Sequence, residues 1–504
     1  MESSITQVSW LGACATFSIA WLLTLTIYRL RFGPLAHFPG SRLAGITRYV
    51  EAYYDVFCDG QYTHKIAQQH NKYGKIVRIS PYELHINDPS FFNTLYCREG
   101  RWNKYDWAYD AHGTPLSTLS AIDHDVHKRR RTAISPFFSK YRIAAQQDTV
   151  KTLAFRLCQR LEGLVSQEVK LANALGAYTR DVATEFLLGK SFDNLSADDF
   201  RAGVGSTLQE SGAIWRITKH LRWYGSMIKA VPLWLVKKVG DPSIVQCLEF
   251  VEDMEKTTND IHSAWVRRSR DANKSPTVVD MILNSGLPAI EKTPARMKDE
   301  VITVAGAAFE TTAYTLSKTL YHIYTNPNIL RRLREELGTH NVADRSLPEL
   351  ENLQYLTAVL KEGLRLSPAI ATRMARVAPD RPLVYDKWTI PPGTPVGMTL
   401  LLVHTDPVQC PDPMHFDPER WLNQDSRMSK RAYAPFGQGS RMCIGMHLAW
   451  AELYFAVASI VMQFDFDFKP DASKDVTWAS DQFTIGTETR NGLPAIVRRY
   501  DPQG

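Results

Sequence analysis

The sequence predicts a mainly α-helical protein with small β-sheets, organised as one large domain behind an N-terminal membrane helix. Long stretches have helical periodicity without internal proline, and strand-like alternation is confined to short segments. A chain of 504 residues has room for roughly two to four domains of ordinary size. Because no internal repeat and no Gly/Ser-rich linker follows the N-terminal region, we predict a single large domain.

The composition limits the classes of function. Lys and Arg number 59 against 53 Asp and Glu. This mild basic excess suits an acidic partner or an anionic membrane, and because it is a weak sign of nucleic-acid binding we predict no nucleic-acid partner. The 7 cysteines lack Cys-x-x-Cys spacing and are odd in number, which argues against a disulfide framework and a structural zinc site.

The N-terminal segment has the length and composition of a membrane-spanning helix. Residues 3–28 carry no charge, and residues 10–28 approach the roughly 20 residues that span a bilayer. A cleaved signal peptide is the alternative, but the charged n-region is missing and Arg29 and Arg31 follow the apolar stretch directly. These arginines predict a cytosolic position for the remainder. The predicted organisation is a transmembrane anchor at 1–31, a Pro/Gly hinge at 32–45 and the main domain at 46–504.

Local patterns predict the remaining elements in chain order. Alternation around Ser80-Pro81 predicts a hairpin over residues 74–88. Helical periodicity predicts long helices at 123–140, 243–270, 294–324 and 446–462. Short strand segments are predicted at 383–396 and 483–497, the latter with a hairpin turn at Asn491-Gly492.

The segment PFGQGSRMCIG, residues 435–445, surrounds Cys443 with glycines. Glycines let the backbone fold closely around the sulfur, and Arg441 brings a cation nearby. Backbone N–H donors, a helix N-terminus and a cation favour the thiolate, which is the metal-binding form. Because the loop holds no histidine and no second cysteine, a metal would have to arrive already held, as iron is in a porphyrin. A buried structural cysteine is the alternative.

This segment resembles the haem-binding loop of the cytochrome P450 monooxygenases, with every defining position present. The resemblance implies haem b as the cofactor and Cys443 as the ligand of its iron. It also implies that Phe436, Gly437 and Arg441 bind the cofactor. The family's cytochrome P450 fold, a single large catalytic domain that is mostly helical with a small sheet-rich lobe, agrees with the prediction from local patterns.

Glu362 and Arg365 are three residues apart, a spacing that places them on one helix face. An exposed ion pair of little energetic value is the alternative. The pair resembles the family's Glu-x-x-Arg element, and FDPERW, residues 416–421, resembles the segment that supplies Arg420 as a third partner. The resemblance implies a buried structural network that fixes the loop carrying Cys443.

Small residues at 305–308 precede an acid and two threonines on the predicted helix. Small side chains let a flat ligand approach the backbone, although close helix packing uses the same residues. With Glu310 and Thr311, the segment resembles the family's oxygen-binding helix, which implies that both residues are catalytic and supply protons to the reacting oxygen. Ala308 stands where glycine is usual, and its methyl would narrow the oxygen groove. Thr312 has the alternative of bonding back to its own helix.

His127 and Arg131 lie four residues apart, on one helix face in a basic run. A solvated basic face is the ordinary alternative. In the family a Trp-x-x-x-Arg pair here binds a haem propionate, so the resemblance implies that role for Arg131 and, with histidine replacing tryptophan, for His127. Arg376 and Arg441 match the other propionate-binding arginines, whose planar fork suits a carboxylate. The surplus charges at 128–130 would face the reductase.

Residues 215–238 hold basic residues and tryptophans without an acid. By position in the family this segment is the roof of the substrate pocket, and its composition suits a surface that dips into the membrane interface. A packed amphipathic helix pair is the alternative. The other pocket segments that the family implies are largely apolar and fit a hydrophobic substrate: residues 103–119, 301–311, 369–373 and 483–486.

The resemblance implies a single-pass, membrane-anchored monooxygenase of the endoplasmic reticulum with a cytosolic catalytic domain. An NADPH–cytochrome P450 reductase would supply electrons from NADPH, with cytochrome b5 as a further candidate partner. The sequence is most similar to fungal members that tailor secondary metabolites, so we expect a small hydrophobic substrate, a terpenoid first and a polyketide or indole product second. Two alternatives remain. The first is a haem-thiolate isomerase or dehydratase that needs no reductase, and the presence of Glu310 and Thr311 argues against it. The second is a non-enzymatic haem sensor or carrier.

Overall fold

The computed structural model describes residues 2–267, 275–338, 342–422 and 433–501. Helices dominate these residues and the strands are short, which confirms the predicted fold class. The α-helices are α1 Glu2–Ile27, α2 Arg42–Ile46, α3 Tyr49–Ala52, α4 Tyr62–Tyr73, α5 Phe92–Leu95, α6 Asp106–Tyr109, α7 His124–Ile134, α8 Lys140–Ala145, α9 Gln147–Glu162, α10 Leu171–Leu188, α11 Ala202–His220, α12 Arg222–Lys229, α13 Leu233–Val239, α14 Pro242–Val266, α15 Val278–Leu283, α16 Pro294–Tyr324, α17 Pro327–Leu337, α18 Leu347–Glu351, α19 Gln354–Leu366, α20 Leu400–His404 and α21 Met446–Val461. The strands are β1 Ile76–Arg78, β2 Leu84–Ile86, β3 Asn103–Lys104, β4 Glu168–Lys170, β5 Arg376–Val377, β6 Leu383–Tyr385, β7 Trp388–Ile390, β8 Pro395–Gly397, β9 Phe464–Phe468, β10 Trp478–Gln482, β11 Thr484–Thr487 and β12 Pro494–Arg499.

The strands of the described residues form small sheets. The largest has the order β1-β2-β8-β5-β3, and its β1 and β2 pair antiparallel with Ile76 opposite Ile86, which confirms the predicted hairpin. β6 pairs with β7, β10 with β11, and β12 lies between β4 and β9. The predicted hairpin at Asn491-Gly492 is therefore wrong, because β11 and β12 belong to different sheets. Gly492 does adopt the positive φ of 83° that the turn pattern indicates, but the strand after it pairs elsewhere.

Capping side chains and prolines set the ends of two long helices, α16 and α7. α16 has the predicted bounds, with Pro294 in its first turn and the Thr293 side chain accepting a hydrogen bond from the Arg296 N–H. α7 ends at Ile134, earlier than predicted, because Pro136 follows and the chain continues as a 3₁₀ turn. α14 ends at Val266, and residues 268–270 of the predicted helix lie outside the described residues.

The main hydrophobic core lies among α9, α10, α16, α19 and α21. α21 is buried along most of its length, which confirms the predicted helix after the cysteine loop. A second core packs beneath the five-stranded sheet and includes Leu35 and Phe38 from the Pro/Gly segment 32–45. The carbonyl of Pro39 accepts a hydrogen bond from the Arg78 N–H at 2.7 Å. The Pro/Gly segment is thus packed against the main domain.

The N-terminal helix stands apart from this core. Within the described residues, Gly12–Phe32 is the one helical segment long and apolar enough to cross a membrane, and none of it is buried. A π-helical turn, Tyr28–Phe32, continues α1. Arg29 in this turn donates a hydrogen bond to the Ile46 carbonyl at 2.7 Å. The arginine that follows the apolar stretch therefore attaches the helix to the main domain.

Candidate cofactor and active site

The loop before α21 holds Cys443 in a fixed position. The Cys443 N–H donates to the Phe436 carbonyl at 2.9 Å. Gly437 and Gly439 have φ values of 67° and 76°, a region that side chains other than glycine rarely adopt. A Cβ on Gly439 would also lie 2.5 Å from the Cys97 carbonyl oxygen. Glycine at this position is therefore required by the close approach of two backbone segments.

The side chain of Cys443 opens into a cavity inside the protein. The cavity is lined by α7, α16, α19 and α21, and Ala307 and Thr311 of α16 lie on its wall. Gly445 also lines it, and apart from Gly445 itself and its two chain neighbours, no described residue has an atom within 4 Å of the place where a Cβ on Gly445 would stand. Burial raises the pKa of the Cys443 thiol, whereas the Gly445 N–H and the charge of Arg131 lower it. The site therefore offers open space for a flat group beside Cys443, and the Gly445 N–H and Arg131 stabilise the thiolate form of this cysteine.

Buried and half-buried basic side chains cluster at one end of this cavity. Arg131 donates to the Met442 carbonyl at 2.6 Å, and Arg441 donates to the Ala121 and Ile122 carbonyls at 2.6 and 2.8 Å. Among the described residues, none of the cluster's cations forms an ion pair with a carboxylate. Lys104, Arg131 and Arg441 line the cavity, with His127 beside them, and Arg376 is buried near Arg441 without lining the cavity. Burial, and then the charges of Arg441 and Arg376, lower the pKa of Lys104 well below its usual range.

Burial and the neighbouring charges lower the pKa values of the basic groups in this cluster. Burial, and then the charge of Arg376, lower the pKa of Arg441 to about 9. Burial and the charge of Arg441 lower the pKa of His127 to about 2, so His127 is neutral and can donate one N–H. The Nε of Arg441 is buried without an acceptor among the described residues. These groups fit a ligand that brings carboxylates, as the two propionates of haem do.

Thr311 and Thr312 of α16 face different partners. The Thr311 hydroxyl lines the cavity and donates to the Ala307 carbonyl at 2.8 Å. The alternative for Thr312, a hydrogen bond back to its own helix, is not seen; its side chain contacts the carboxyl of Glu452 instead. Burial raises the pKa of Glu452 well above its usual range. Ala308 lines the cavity beside Thr311, so its methyl does occupy part of the groove.

Glu310 does not line the cavity and lies where α16 meets α11. It is half-buried, and Gln209 of α11 donates to its Oε2 at 3.4 Å. Burial raises the pKa of Glu310 to about 7, and the charge of Arg180 on α10 only partly offsets this. Glu310 and Thr311 are thus neighbours in sequence, but Glu310 contacts α11 whereas Thr311 lines the cavity.

Glu362 is at the centre of a charge network in which it and Arg365 are completely buried. Arg365 donates to both of its carboxylate oxygens at 2.8 and 2.7 Å, and Arg420 donates to Oε1 at 2.9 Å. The indole N–H of Trp421, which was not predicted, donates to Oε2 at 2.8 Å. Arg365 also donates to the Pro413 carbonyl at 2.6 Å. The structure therefore brings the three predicted residues together and excludes the exposed ion pair.

Not all of the predicted surface and pocket residues have the expected surroundings. Lys128 and Arg129 are exposed, but Arg130 pairs with Glu291 at 2.8 Å and is not free for a partner. Ala369 and Ile370 line the cavity as expected. Arg373 does not, because its guanidinium binds two buried carboxylates, those of Glu51 and Glu83, at 2.9 and 2.7 Å.

The roof segment divides into a buried and an exposed part. Trp215, at the end of α11, is buried and donates to the Ala108 carbonyl at 2.9 Å. Trp223 of α12 and Trp234 of α13 are 60% and 66% exposed. The tryptophans beyond α11 therefore form an apolar surface on the outside of the protein.

Sequence reasoning missed two acids on the cavity wall, Glu300 and Glu452, and placed Lys104 in a pocket segment without a role of its own. All three residues line the cavity and are buried. Lys104 lies in a two-residue strand, and the two acids lie on long helices where charged residues are ordinarily exposed. The isolated position of Glu452 in the apolar sequence of α21 is the one local signal that distinguishes any of them.

Comparison with known proteins gives a consistent result. A family model described as cytochrome P450 matches residues 54–490. The tryptophan 6-hydroxylase fscE of Fusarium equiseti is 36% identical over 487 residues, which cover 94% of each chain. The N-acetyltryptophan 6-hydroxylase ivoC of Emericella nidulans is 35% identical over 92% of this chain and 93% of the relative. The cytochrome P450 monooxygenase pbrB of Penicillium brasilianum is 34% identical over 97% of each chain.

Proposed function

The chain belongs to the cytochrome P450 family and is a monooxygenase, and from this premise we propose that it inserts one oxygen atom from dioxygen into a hydrophobic secondary metabolite. The family's cofactor is haem b, and NADPH electrons reach it through a reductase in the family's general arrangement. The observation that carries the proposal is the convergence of Cys443, Thr311 and the buried cations on one cavity. Each of these groups has a separate task there.

Cys443 would hold the haem iron as a thiolate, and Phe436 and Gly437 line the cavity beside it. The Gly445 N–H and Arg131 support the thiolate form. The propionates would be held by the cationic cluster, to which each arginine brings a planar pair of donors: Lys104, His127, Arg131, Arg376 and Arg441. Haem bound in this way supplies the activation of dioxygen and the transfer of one oxygen atom.

Thr311 and Glu310 would move protons. The Thr311 hydroxyl faces the cavity and can turn from the Ala307 carbonyl to donate into it. Glu310, with a pKa of about 7, exchanges its proton readily near neutral pH. Gln209, exposed on α11, contacts Glu310 and supports a route from solvent to the acid. This arrangement supports a monooxygenase over an isomerase or dehydratase, which needs no proton donor of this kind.

The single apolar N-terminal helix is consistent with a membrane anchor, and we place the protein in the endoplasmic reticulum membrane with its catalytic domain in the cytosol. The exposed Trp223 and Trp234 support contact of the roof with the membrane interface. Apolar substrates would then enter from the bilayer. Lys128 and Arg129, which are exposed on α7, would contribute to binding a reductase and cytochrome b5.

A terpenoid is the first substrate class that the sequence predicts, and a polyketide or indole product is the second. The two relatives named for their substrates act on tryptophan and N-acetyltryptophan. At the roof, Phe483 packs edge-to-face against His112 at 4.2 Å between ring centroids and against Trp215 at 5.3 Å. Of these rings, Phe483 lines the cavity. The substrates named for the two relatives, together with this aromatic side chain on the wall, support placing indole products ahead of terpenoids and polyketides.

The test is reconstitution of the full-length protein with a fungal NADPH–cytochrome P450 reductase in microsomes. A panel of indole and terpenoid metabolites is supplied under isotopically heavy dioxygen. We expect NADPH-dependent products that carry one heavy oxygen atom. Conversion without NADPH would support the isomerase alternative, and oxidised products without the heavy atom would contradict the proposal.

A further inference from the structure

We propose that residues 49–57 present an aromatic face that inserts into the interface of the lipid bilayer beside the N-terminal anchor. α3 continues without a break into a π-helical turn, Tyr53–Phe57. The aromatic face consists of Tyr49, Tyr53 and Phe57. It is a second lipid-binding surface in addition to the roof helices, so the proposal rests on the membrane placement given under the proposed function.

The exposed side of this helical stretch is apolar. The three rings follow one another at intervals of four residues, which places them on one side of a helix. Tyr49, Tyr53 and Phe57 are 72%, 54% and 81% exposed, and the rings of Tyr53 and Phe57 stack at 6.2 Å between centroids. From residue 43 to residue 58 every exposed side chain is apolar or aromatic, the other two being Leu43 and Val56.

The buried side of the same stretch carries the charges. Glu51 and Asp55 are 1% and 2% exposed. The Nζ of Lys219, at the end of α11, lies 3.1 Å from a Glu51 oxygen and 2.7 Å from an Asp55 oxygen, and Arg373 also binds Glu51. A helix on a water-exposed surface ordinarily has its apolar side inward and its charges outward. The polarity of residues 49–57 is inverted, which indicates that their outer side contacts an apolar partner.

The attachment of the anchor supports the bilayer as this partner. Arg29, at the end of the apolar helix Gly12–Phe32, donates to the Ile46 carbonyl at 2.7 Å, three residues before Tyr49. Its guanidinium also lies over the ring of Tyr82, 5.3 Å from the centroid. The end of the anchor is thus fixed beside the beginning of the aromatic face, where a spanning helix leaves the bilayer. Tyrosine is enriched at that depth because its ring is apolar and its hydroxyl is polar.

Buried ionic contacts join the aromatic face to the roof. Lys219 and His220 both contact Asp55, at 2.7 and 3.2 Å. Trp223 of α12, which is 60% exposed, follows three residues after His220. The two aromatic surfaces are therefore connected through one ionic cluster, and insertion of both fixes the rotation of the catalytic domain about its anchor.

The test is hydroxyl-radical footprinting of the full-length haem protein, read by mass spectrometry. One copy is placed in each nanodisc of phosphatidylcholine and phosphatidylserine, without a reductase. Tyr141 of α8 is 86% exposed and serves as the internal reference, because it has the same side chain as Tyr49 and Tyr53. We expect these two tyrosines to be oxidised about tenfold more slowly than Tyr141, which corresponds to about 1.4 kcal/mol in favour of insertion.

Phe57→Glu gives a directional test. A carboxylate resists transfer out of water, so this variant is expected to withdraw the face from the lipid. The oxidation rates of Tyr49 and Tyr53 should then approach the rate of Tyr141. The matched control is Ile290→Glu, which changes an 80% exposed apolar side chain outside the aromatic face and is expected to keep the protection.

Three results would overturn the proposal: equal oxidation of Tyr49 and Tyr141, protection that is unchanged in Phe57→Glu, or protection that appears only after a reductase or a second copy is added. Failure of the protein to enter the discs would overturn both the anchor and the aromatic face. The carbon monoxide difference spectrum of the same discs separates these failures from failure of the proposed function. An intact red-shifted Soret band with rapid oxidation of Tyr49 rejects only the aromatic face.

Discussion

Arg365 donates two hydrogen bonds to Glu362, at 2.8 and 2.7 Å, and both side chains are completely buried. Arg420 and Trp421 bind the same carboxylate from the segment that precedes the cysteine loop. Burial alone would raise the pKa of Glu362, but Arg365 outweighs it and holds the pKa below its usual range. One carboxylate therefore links α19 to the chain that leads to the cofactor site.

Glu362→Gln is expected to lower the free energy of unfolding by about 3–5 kcal/mol, because it leaves buried guanidinium groups without their counter-charge. The measurement is urea unfolding followed by circular dichroism. The control is Glu335→Gln, which breaks an exposed ion pair with Arg331 and is expected to cost less than about 1 kcal/mol. An equal loss of unfolding free energy in the two variants would mean that the buried network stabilises the fold no more than an exposed ion pair does.

Thr311→Ala is expected to uncouple NADPH consumption from product formation, because the cavity loses its hydroxyl donor. The yield of product per NADPH should fall by up to about a hundredfold, the lower end of what a positioned proton donor contributes. Hydrogen peroxide release should rise in step. Thr325→Ala serves as the control and should remain coupled, because Thr325 lies outside the cavity and its hydroxyl likewise donates to the carbonyl four residues earlier, that of Tyr321. An unchanged yield in Thr311→Ala would remove Thr311 from the proton route.

The coupling is expected to depend on pH through Glu310. Its pKa is raised to about 7, chiefly by burial, so it holds a proton below that pH and is ionised above it. The product yield per NADPH should therefore fall as the pH rises through about 7, and Glu310→Gln should flatten this dependence. Glu249→Gln, at an exposed position of α14, should leave the curve as in the wild type. A pH profile that is the same in Glu310→Gln would contradict the assignment.

The same shift affects stability. The folded protein binds the Glu310 proton more tightly than the unfolded chain, so folding is favoured at low pH. This contribution is lost as the pH rises from the ordinary glutamate pKa toward about 7. Unfolding measured across that window should show a smaller loss of stability in Glu310→Gln than in the wild type. An identical loss would mean that the proton on Glu310 is not linked to folding.

Lys104→Met is expected to weaken retention of haem by about tenfold, the effect of one lost charge-assisted hydrogen bond. The measurement is the rate of haem transfer to apomyoglobin. Lys128→Met, at an exposed position of α7, is the matched control and should leave the rate unchanged. Equal rates in both variants would exclude Lys104 from propionate binding.

The sequence predicted the elements whose chemistry is local. The glycines around Cys443 and the spacing of Glu362 and Arg365 impose their geometry within one loop or one helical turn. Residues whose role depends on distant chain segments could not be predicted in this way. Lys104 is buried beside arginines from three other segments, and Arg373 is held by carboxylates that lie far away in sequence.

The hairpin predicted at Asn491-Gly492 failed for a related reason. A turn pattern specifies the backbone of a few residues, and Gly492 has the positive φ that the pattern indicates. The partner of a strand is set by packing elsewhere, and β12 pairs with β4 and β9 instead of β11. The end of α7 at Ile134 is predictable from the sequence, because Pro136 lies inside the predicted helix 123–140 and disfavours its continuation.

The central claim is that Cys443 binds haem iron as a thiolate. The most direct measurement is the absorbance difference spectrum of the reduced full-length protein with and without carbon monoxide, beside Cys443→Ser and the control Cys97→Ser. We expect a strongly red-shifted Soret band in the wild type and in Cys97→Ser, and its loss in Cys443→Ser. A well-folded wild type without haem absorbance, or a band that persists in Cys443→Ser, would contradict the claim.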